Sequence, residues 1–584
     1  MVNKMTAQSG TSSALAGCVL DKSGAVVAGA EVKADEVNTG AVRAIQTNPE
    51  GRFLFSQVNP GTYVIEVHAA GFDTGRSQPT AVSVGQTATV NFTLSPAATS
   101  QTIKVTAQSG LVSLDNPNTT TTIDAQAIRS LPNPGQDLTY LAQFSQGALM
   151  NTAGSSSDAK AAGGYGNVEF NGLPATSNGY ILDGYDSNDP WLGLNVGLST
   201  NLVVGLDAVQ EATVNTSSFS VDQGRYGASQ VNYFTKSGTN LFHGDVFEIW
   251  NGSLFNAQDF FLHANDTPGN IARKPRSVVN EFGVSVGGPM RKDKLFVFAH
   301  YEGIRIALPL VTATTLPTPA YQQYVLGQLA TGGYDPVTGT NLPAQPAEIP
   351  FYKNMFSLLP APGGSPVAIT ACPLDAGCAT QQQRSLNNSD TENLIVVKID
   401  QTINAKDSIW YRFQQDSGLQ AEWTDPINSI FNAFSPQPQR TLVVGYTHLF
   451  SPALVNQFNP GASWYSSIFE PNNYSHVLET YPIGLASGSD SVPFTQIGGL
   501  NNTFPQGRKV TQWQINDNLT WTHGKHTLHF GINTRRVDTS DYDLGEGIVP
   551  TVTYNTLAEF TYGAAFTAAM PATRMCPRIH DPPP

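Results

Sequence analysis

The 584-residue chain carries 31 Lys and Arg against 45 Asp and Glu, a formal net charge of −14, and only 13% of its residues are charged, against roughly a quarter in an average soluble protein. That balance argues against a nucleic-acid partner, which needs a basic surface, and the lack of any run of about 18 apolar residues excludes a membrane-spanning helix. Low charge, 53 glycines and abundant Ser, Thr and Asn suit a largely β protein; transmembrane barrels are one such class, because their apolar residues are spread one in two along each strand.

The first residues, MVNKMTAQSGTSS, contain no apolar core, so the sequence as it stands shows no signal peptide. Leu15-Ala16-Gly17-Cys18 has the form of a lipoprotein cleavage box, but no apolar segment precedes it. Residues 14–96 instead read as seven short strands, punctuated by turns such as Lys22-Ser23-Gly24, Asn38-Thr39-Gly40, Asn59-Pro60-Gly61 and Gly85-Gln86-Thr87. This spacing predicts a small antiparallel sandwich with Tyr63, Ile65, Val67, Val90, Phe92 and Leu94 in its core. The segment resembles the carboxypeptidase regulatory-like domain through Gly17-Cys18-Val19, Asp21, Gly24, Gly51-Arg52-Phe53, Pro60-Gly61-Thr62-Tyr63 and Gly71-Phe72. The resemblance implies an Ig- or transthyretin-like, carbohydrate-binding-like sandwich that serves as an accessory module and not as a peptidase. Cys18 then becomes a strand residue.

Residues 97–110 form a polar-flanked extended segment, SQTIKVTAQSG at 100–110. Thr102, Ile103, Lys104, Val105, Thr106 and Ala107 resemble the TonB box of TonB-dependent receptors, a free peptide that would add an edge strand to a partner sheet; a plain interdomain linker is the other reading. Residues 111–240 lack a clean period, with short helices expected over 124–130 and 135–144. Two stretches there resemble the plug domain of TonB-dependent receptors of the Oar-like group. One is Leu182-Asp183-Gly184 with Asn188-Asp189. The other is Tyr226-Gly227 with Thr235-Lys236-Ser237-Gly238-Thr239-Asn240, which runs on into Phe242-His243-Gly244.

From residue 241 the chain alternates. In residues 510–536, Trp513, Ile515, Leu519 and Trp521 share one parity, and Gln512, Gln514, Asn516, Asn518 and Thr520 the other. After His523-Gly524-Lys525, Leu528, Phe530 and Ile532 repeat the habit, so this is a hairpin with one apolar face. About nine strands long enough to span a membrane when tilted follow the same rule: 241–251, 278–288, 294–306, 391–401, 406–416, 437–450, 454–467, 510–522 and 525–538. Their connections alternate between short (289–293, 402–405, 451–453, 523–524) and long (252–277, 307–390, 417–436, 468–509), the order of a barrel with tight periplasmic turns and large extracellular loops. Asn280–Gly303, THLFSPALVNQF and NLTWTHGKHTLHFG resemble hairpins of the Oar-like barrel.

Several apparent chemical motifs lack their context. Gly283-Val284-Ser285-Val286-Gly287 has the form of a nucleophile elbow but lies in a strand, where Ser285 would face the lumen. His523, His526 and His529 do not share one strand face, which argues against a metal site. Asp183, Asp186, Asn188 and Asp189 lack the spacing of a calcium loop and read as a polar plug loop open to substrate. No cofactor, catalytic residue or metal site is expected. Cys372 and Cys378 close a small loop if the compartment is oxidising, or remain free thiols.

The expected architecture is mainly β: a sandwich over 14–96, a linker over 97–110, an α+β plug over 111–240, and the first part of an antiparallel transmembrane β-barrel over 241–584. The resemblance implies an outer-membrane receptor that binds an extracellular ligand, such as a carbohydrate or peptide, and is energised by TonB, with barrel lipid as its other neighbour. The alternative is a non-transporting adhesin or carbohydrate-binding surface protein. Nine strands is an odd number where such barrels have an even one, and the ending MCPRIHDPPP lacks a closing aromatic strand. The chain is therefore expected to be a fragment, with the 510–536 hairpin its last ordered pair.

Overall fold

The computed structural model describes residues 13–97, 119–131, 138–150, 168–191, 203–216, 225–255, 276–480, 504–523, 526–543 and 551–564, with short pieces between them. The N-terminal unit is a sandwich of a four-stranded and a five-stranded sheet. All six expected core residues are buried, Ile65, Val67 and Leu94 completely. Its sheets are not purely antiparallel, as the turn spacing had suggested. Ser13–Asp21 pairs in parallel with Thr87–Thr89 and again with Phe92–Leu94. A strand that returns at the end of the unit meets the first one head to head, and a pattern of local turns carries no information about that long-range pairing. Cys18 lies in this first strand, its thiol 3.1 Å from Asn91 Oδ1.

The next unit is a five-stranded mixed sheet with short helices at Ala125–Ser130, capped by the Asp124 carboxylate, and Thr139–Phe144. Its strands Asn178–Leu182 and Ser229–Thr235 run parallel. The tight reversal after Leu182 is made by Asp183 (φ 48°) and Gly184 (φ 82°). Two successive left-handed residues make the type I′ geometry for which Asp-Gly is a preferred pair.

Nine long strands follow in sequential antiparallel order: β1 His243–Gly252, β2 Val278–Arg291, β3 Leu295–Pro317, β4 Ala379–Thr402, β5 Asp407–Trp423, β6 Ala433–Ser451, β7 Leu454–Pro471, β8 Gln506–His523 and β9 His526–Asp543. Among the described residues, β1 and β9 each pair on one side only. Their outward face is an apolar band: Phe413, Leu442, Ala462 and Trp513 are cross-strand neighbours on β5 to β8, and Trp513 is 55% exposed. Ile515, Trp521, Leu528, Phe530 and Ile532 point the same way. The opposite parity, with Arg412, Gln414, Gln512 and Gln514, is buried. Ser285 is buried on this inner face between exposed Val284 and Val286.

Two expectations about strand extent are corrected. β3 and β4 have 23 and 24 residues, where a membrane needs about 9–11, so their outer halves stand clear of the lipid and pair up to Pro317↔Ala379. The 510–536 hairpin is also not the last ordered feature. Its strand runs on to Asp543, and the helix Leu557–Tyr562 then packs into a hydrophobic core with Tyr321, Val325, Tyr352, Phe431, Val477 and Phe494. The connections after β3, β5 and β7 and the segment after β9 thus meet in one cap at a single end of the sheet. Within it, Cys372 and Cys378 are joined in a disulfide.

Candidate functional site

The mixed sheet sits against the inner face of the barrel strands, and register explains how it is held. The antiparallel pairings align one residue from every strand in a single row: His243, Gly287, Phe298, Lys398, Arg412, Val443, Gly461, Gln514 and Arg535. The Asp183–Asp186 turn lies along the second half of that row. Asp183 Oδ2 forms an ion pair with Arg412 Nε at 3.0 Å, and Oδ1 lies 3.7 Å from Lys398 Nζ. The Tyr185 ring occupies the space that a side chain at Gly461 would fill. Asp186 N–H donates to Gln514 Oε1 at 2.9 Å, and its carboxylate pairs with Arg535.

A second row, one register step of two residues towards the cap, supplies further contacts: Asp245, Ser285, His300, Val396, Gln414, Thr441, Ser463 and Gln512. Gln414 Nε2 donates to Val203 O at 2.6 Å, the Tyr185 hydroxyl donates to Ser463 Oγ at 2.8 Å, and His300 lies 3.9 Å from Asp207. Higher still, the Tyr465 hydroxyl donates to Asp189 Oδ2 at 2.6 Å, and Arg508 lies 3.7 Å from the same oxygen.

Asp183 is wholly buried. It accepts from Thr235 N–H at 2.9 Å and from the Thr235 hydroxyl at 2.7 Å. Burial alone would raise its carboxyl, but Lys398, Arg412 and the two Thr235 bonds together hold it below the ordinary carboxylate range. Lys398 is fixed from three directions, by Asp183, by Thr235 O at 3.1 Å and by the Phe234 ring 4.2 Å away. The other side of the seat is apolar: Phe298, Ile304 and Ile306 of β3 with Leu394 and Val396 of β4 join one core with Val204, Val209, Ala212 and Val231.

The remaining motif residues fall at the two ends of this seat. Leu182 is buried, and Asn188 accepts from Tyr180 N–H at 2.7 Å through its side-chain oxygen. Asp183, Asp186, Asn188 and Asp189 are all buried, so the loop expected to lie open is committed to its own fold and to the wall. At the other end, Lys236 pairs with Asp207 at 2.7 Å, Ser237 bonds Asp400, and Gly238 passes so close to the backbone of Gly288 and Val297 that a Cβ would not fit. Thr239 donates to Leu241 O, and Asn240 clasps the β2–β3 turn through two bonds with Asp293 at 2.7 and 2.9 Å. Asn240 N–H also donates to Asn38 O of the sandwich at 2.8 Å, which places the sandwich at the short-turn end of the sheet. Thr102 to Ala107 lie outside the described residues. His523 and His526 face each other across the β8–β9 turn, while His529 pairs with Thr520.

Sequence reasoning missed the wall residues Lys398, Arg412, Arg508 and Arg535. One signal was available: a cation flanked by aromatics on a strand, as in Trp410-Tyr411-Arg412-Phe413, has to point inward.

Residues 234–575 match the family model described as an outer membrane beta barrel domain, over more than half of the chain. The chain belongs to this outer-membrane β-barrel family. Residues 14–95 match the carboxypeptidase regulatory-like domain. The chain is 25% identical over 299 residues to the TonB-dependent transporter Oar of Myxococcus xanthus, an alignment covering 50% of this chain and 26% of the relative. Among solved structures it is similar to the outer membrane transporter YddB from Escherichia coli (11% identity, 75% of this chain and 50% of that one, TM-score 0.47). It is also similar to the ferric enterobactin receptor PfeA from Pseudomonas aeruginosa (12% identity, 72% and 58%, TM-score 0.33). The chain spans about a quarter of the curated relative's length.

Proposed function

We propose that the protein is a TonB-dependent transporter that binds an extracellular ligand at the cap and the upper end of the plug and carries it inward on energy from the inner membrane. The mixed sheet over 119–240 is its plug. What supports this reading above all is the two-sided seat of that plug. Phe298, Ile304 and Ile306 of β3 with Leu394 and Val396 of β4 hold one side by apolar packing, and from Lys398 of β4 through β5, β7, β8 and β9 the wall holds the other side by ion pairs and hydrogen bonds. Water can replace polar contacts at small net cost, whereas apolar surface resists hydration. A pull from the sandwich side therefore hydrates the polar half first and opens a path along β5 to β9. The pull enters through residues 100–107, in which TonB would recognise Thr102 to Ala107 by strand addition.

The test is energy-dependent accumulation of ligand by cells producing the protein, with and without residues 100–107. Transport predicts that the deletion abolishes accumulation while surface binding persists. An adhesin would bind, accumulate nothing in either form, and so overturn the proposal. The reading assigns no bond-making chemistry to the chain; its relatives in the comparisons are transporters and receptors.

A further inference from the structure

The cap contains a second concavity, separate from the plug. Its walls are the helix Pro319–Gln328, the hairpin of Gly333–Asp335 and Thr340–Leu342, the loop through residues 370–373, and the helix Leu557–Tyr562. Its volume of about 190 Å³ is more than ten times the roughly 10–15 Å³ that admits one water. Three tyrosines line it. Tyr324 and Tyr562 are half-buried and hydrogen-bonded to each other, and Tyr334 is 57% exposed.

Among the described residues the cleft offers no free charge. Apart from the tyrosines, its one ionisable lining residue is Asp335, whose oxygens are already engaged. Oδ1 accepts from Val337 N–H at 2.8 Å, and Oδ2 accepts from the Thr556 hydroxyl at 2.9 Å. The rest of the lining is Pro336, Val337, Pro373, Leu557 and small residues. The walls are also fixed in place. The Tyr562 ring fills the position where a residue other than glycine at 333 would carry its Cβ. Ala371 is held at φ 64°, next to the Cys372–Cys378 disulfide. A left-handed alanine is strained and persists only where its surroundings impose it.

We propose that this cleft binds a neutral saccharide. Tyr334 would stack on the apolar face of a sugar ring, and the phenols of Tyr324 and Tyr562 would bond the hydroxyls at its edge. The alternatives fit less well. Among the described lining residues an anionic ligand, including an acidic metal chelate, finds no cation, and a basic ligand finds no free carboxylate. A wholly apolar ligand would cover the one O–H that the Tyr324–Tyr562 bond leaves over and give it no acceptor. An uncharged ring with apolar faces and a polar rim meets every one of these conditions. The proposal rests on the reading that the cap faces the outside of the cell.

The test uses the full chain in detergent on an array of neutral, sialylated and uronic-acid glycans, followed by calorimetry with the best-retained neutral glycan. Neutral glycans alone should be retained. Tyr334→Ala should weaken binding about tenfold, the size of one aromatic contact, and Tyr334→Trp should keep it. Tyr334 is exposed, so an unchanged melting curve for Tyr334→Ala separates lost binding from lost folding. Retention of acidic glycans only, no retention of neutral ones, or affinity indifferent to Tyr334→Ala overturns the proposal. So does equal competition by a neutral tyrosine-containing peptide. Protease accessibility of the cap on intact cells is scored separately: an inaccessible cap would sink the transport reading while leaving binding by the purified protein unchanged.

Discussion

Asp183→Asn removes one charge from a site where two cations have already left water, and it nearly preserves the shape of the turn. Lys398 and Arg412 are each 1% exposed, and Asp183 is 0% exposed. Removing one partner of a buried ion pair costs about 3–5 kcal/mol, because the charge left behind has no compensation. Asparagine still offers an acceptor to the Thr235 N–H, which places the expected loss near the lower end, about 3 kcal/mol. At about 1.4 kcal/mol per tenfold, amide exchange in Asn178–Leu182 and Ser229–Thr235 through local opening should accelerate about a hundredfold. Hydrogen–deuterium exchange of the detergent-solubilised protein, read by mass spectrometry on peptides from those two strands, measures this directly. Peptides from β6 and β7 should not change. The triple variant D183N/K398M/R412M should recover much of the loss, since replacing a whole buried ionic set with apolar groups is often neutral. Exchange within threefold of the parent in Asp183→Asn, or a triple variant worse than the single, would refute the claim that this ionic contact seats the mixed sheet.

Glu211 connects the mixed sheet to the sandwich by accepting the Val84 N–H at 3.0 Å, and burial pushes its carboxyl up from 4.5 to about 7. The folded protein thus binds a proton that the unfolded chain does not between those values. The resulting stability is full below about pH 4.5, fades as pH rises, and is gone above about pH 7; thermal melts from pH 4 to 8 should show this slope and Glu211→Gln should flatten it. Ile515→Arg puts a charge on the lipid face and should cost about 2–4 kcal/mol of folding stability in bilayers if it sits near the midplane, measured by urea titration into liposomes; a cost under 0.5 kcal/mol would contradict the outward assignment. Replacing Cys372 and Cys378 together by Ser opens a six-residue separation and should destabilise the cap by about 2–3 kcal/mol, seen as faster proteolysis around 369–378 with an unaltered barrel core.

The period-two pattern made the faces of the strands legible. Trp513, Ile515, Trp521, Leu528, Phe530 and Ile532 could be assigned to the outer surface, and Gln512 and Gln514 to the inner one, because parity is a local property of the chain. Register is not local. Lys398 and Arg412 become neighbours because the turn after Thr402 has a particular length, and Arg535 joins their row only after four more pairings. The cap was still less accessible. Tyr321, Tyr352, Phe494, Tyr554 and Phe560 come from segments separated by tens to hundreds of residues, and each segment reads alone as polar loop. The motif Leu182-Asp183-Gly184 was visible for its turn chemistry, yet nothing local showed that Asp183 would be buried, because its partners lie more than two hundred residues downstream.

That separation bears on how the mixed sheet would come away from the wall. The barrel cations that grip the turn at residues 183–186 stand on three strands, β4, β5 and β9, and all act on carboxylates three residues apart. A turn so short transmits tension to both carboxylates together, so loss of one pair exposes the other to water and raises the local dielectric around it. The grip is therefore cooperative along the row, and Asp183→Asn should weaken the Asp186 contacts as well as its own. A double-mutant cycle between Asp183→Asn and Arg535→Met, read by exchange in Asn178–Leu182, measures that coupling. Residues in contact or in one network typically show about 0.5–3 kcal/mol of interaction energy, whereas independent sites add to within about 0.5 kcal/mol. Additivity within that smaller margin would mean that the two ends of the turn let go separately, and that the row of barrel residues is a set of independent contacts.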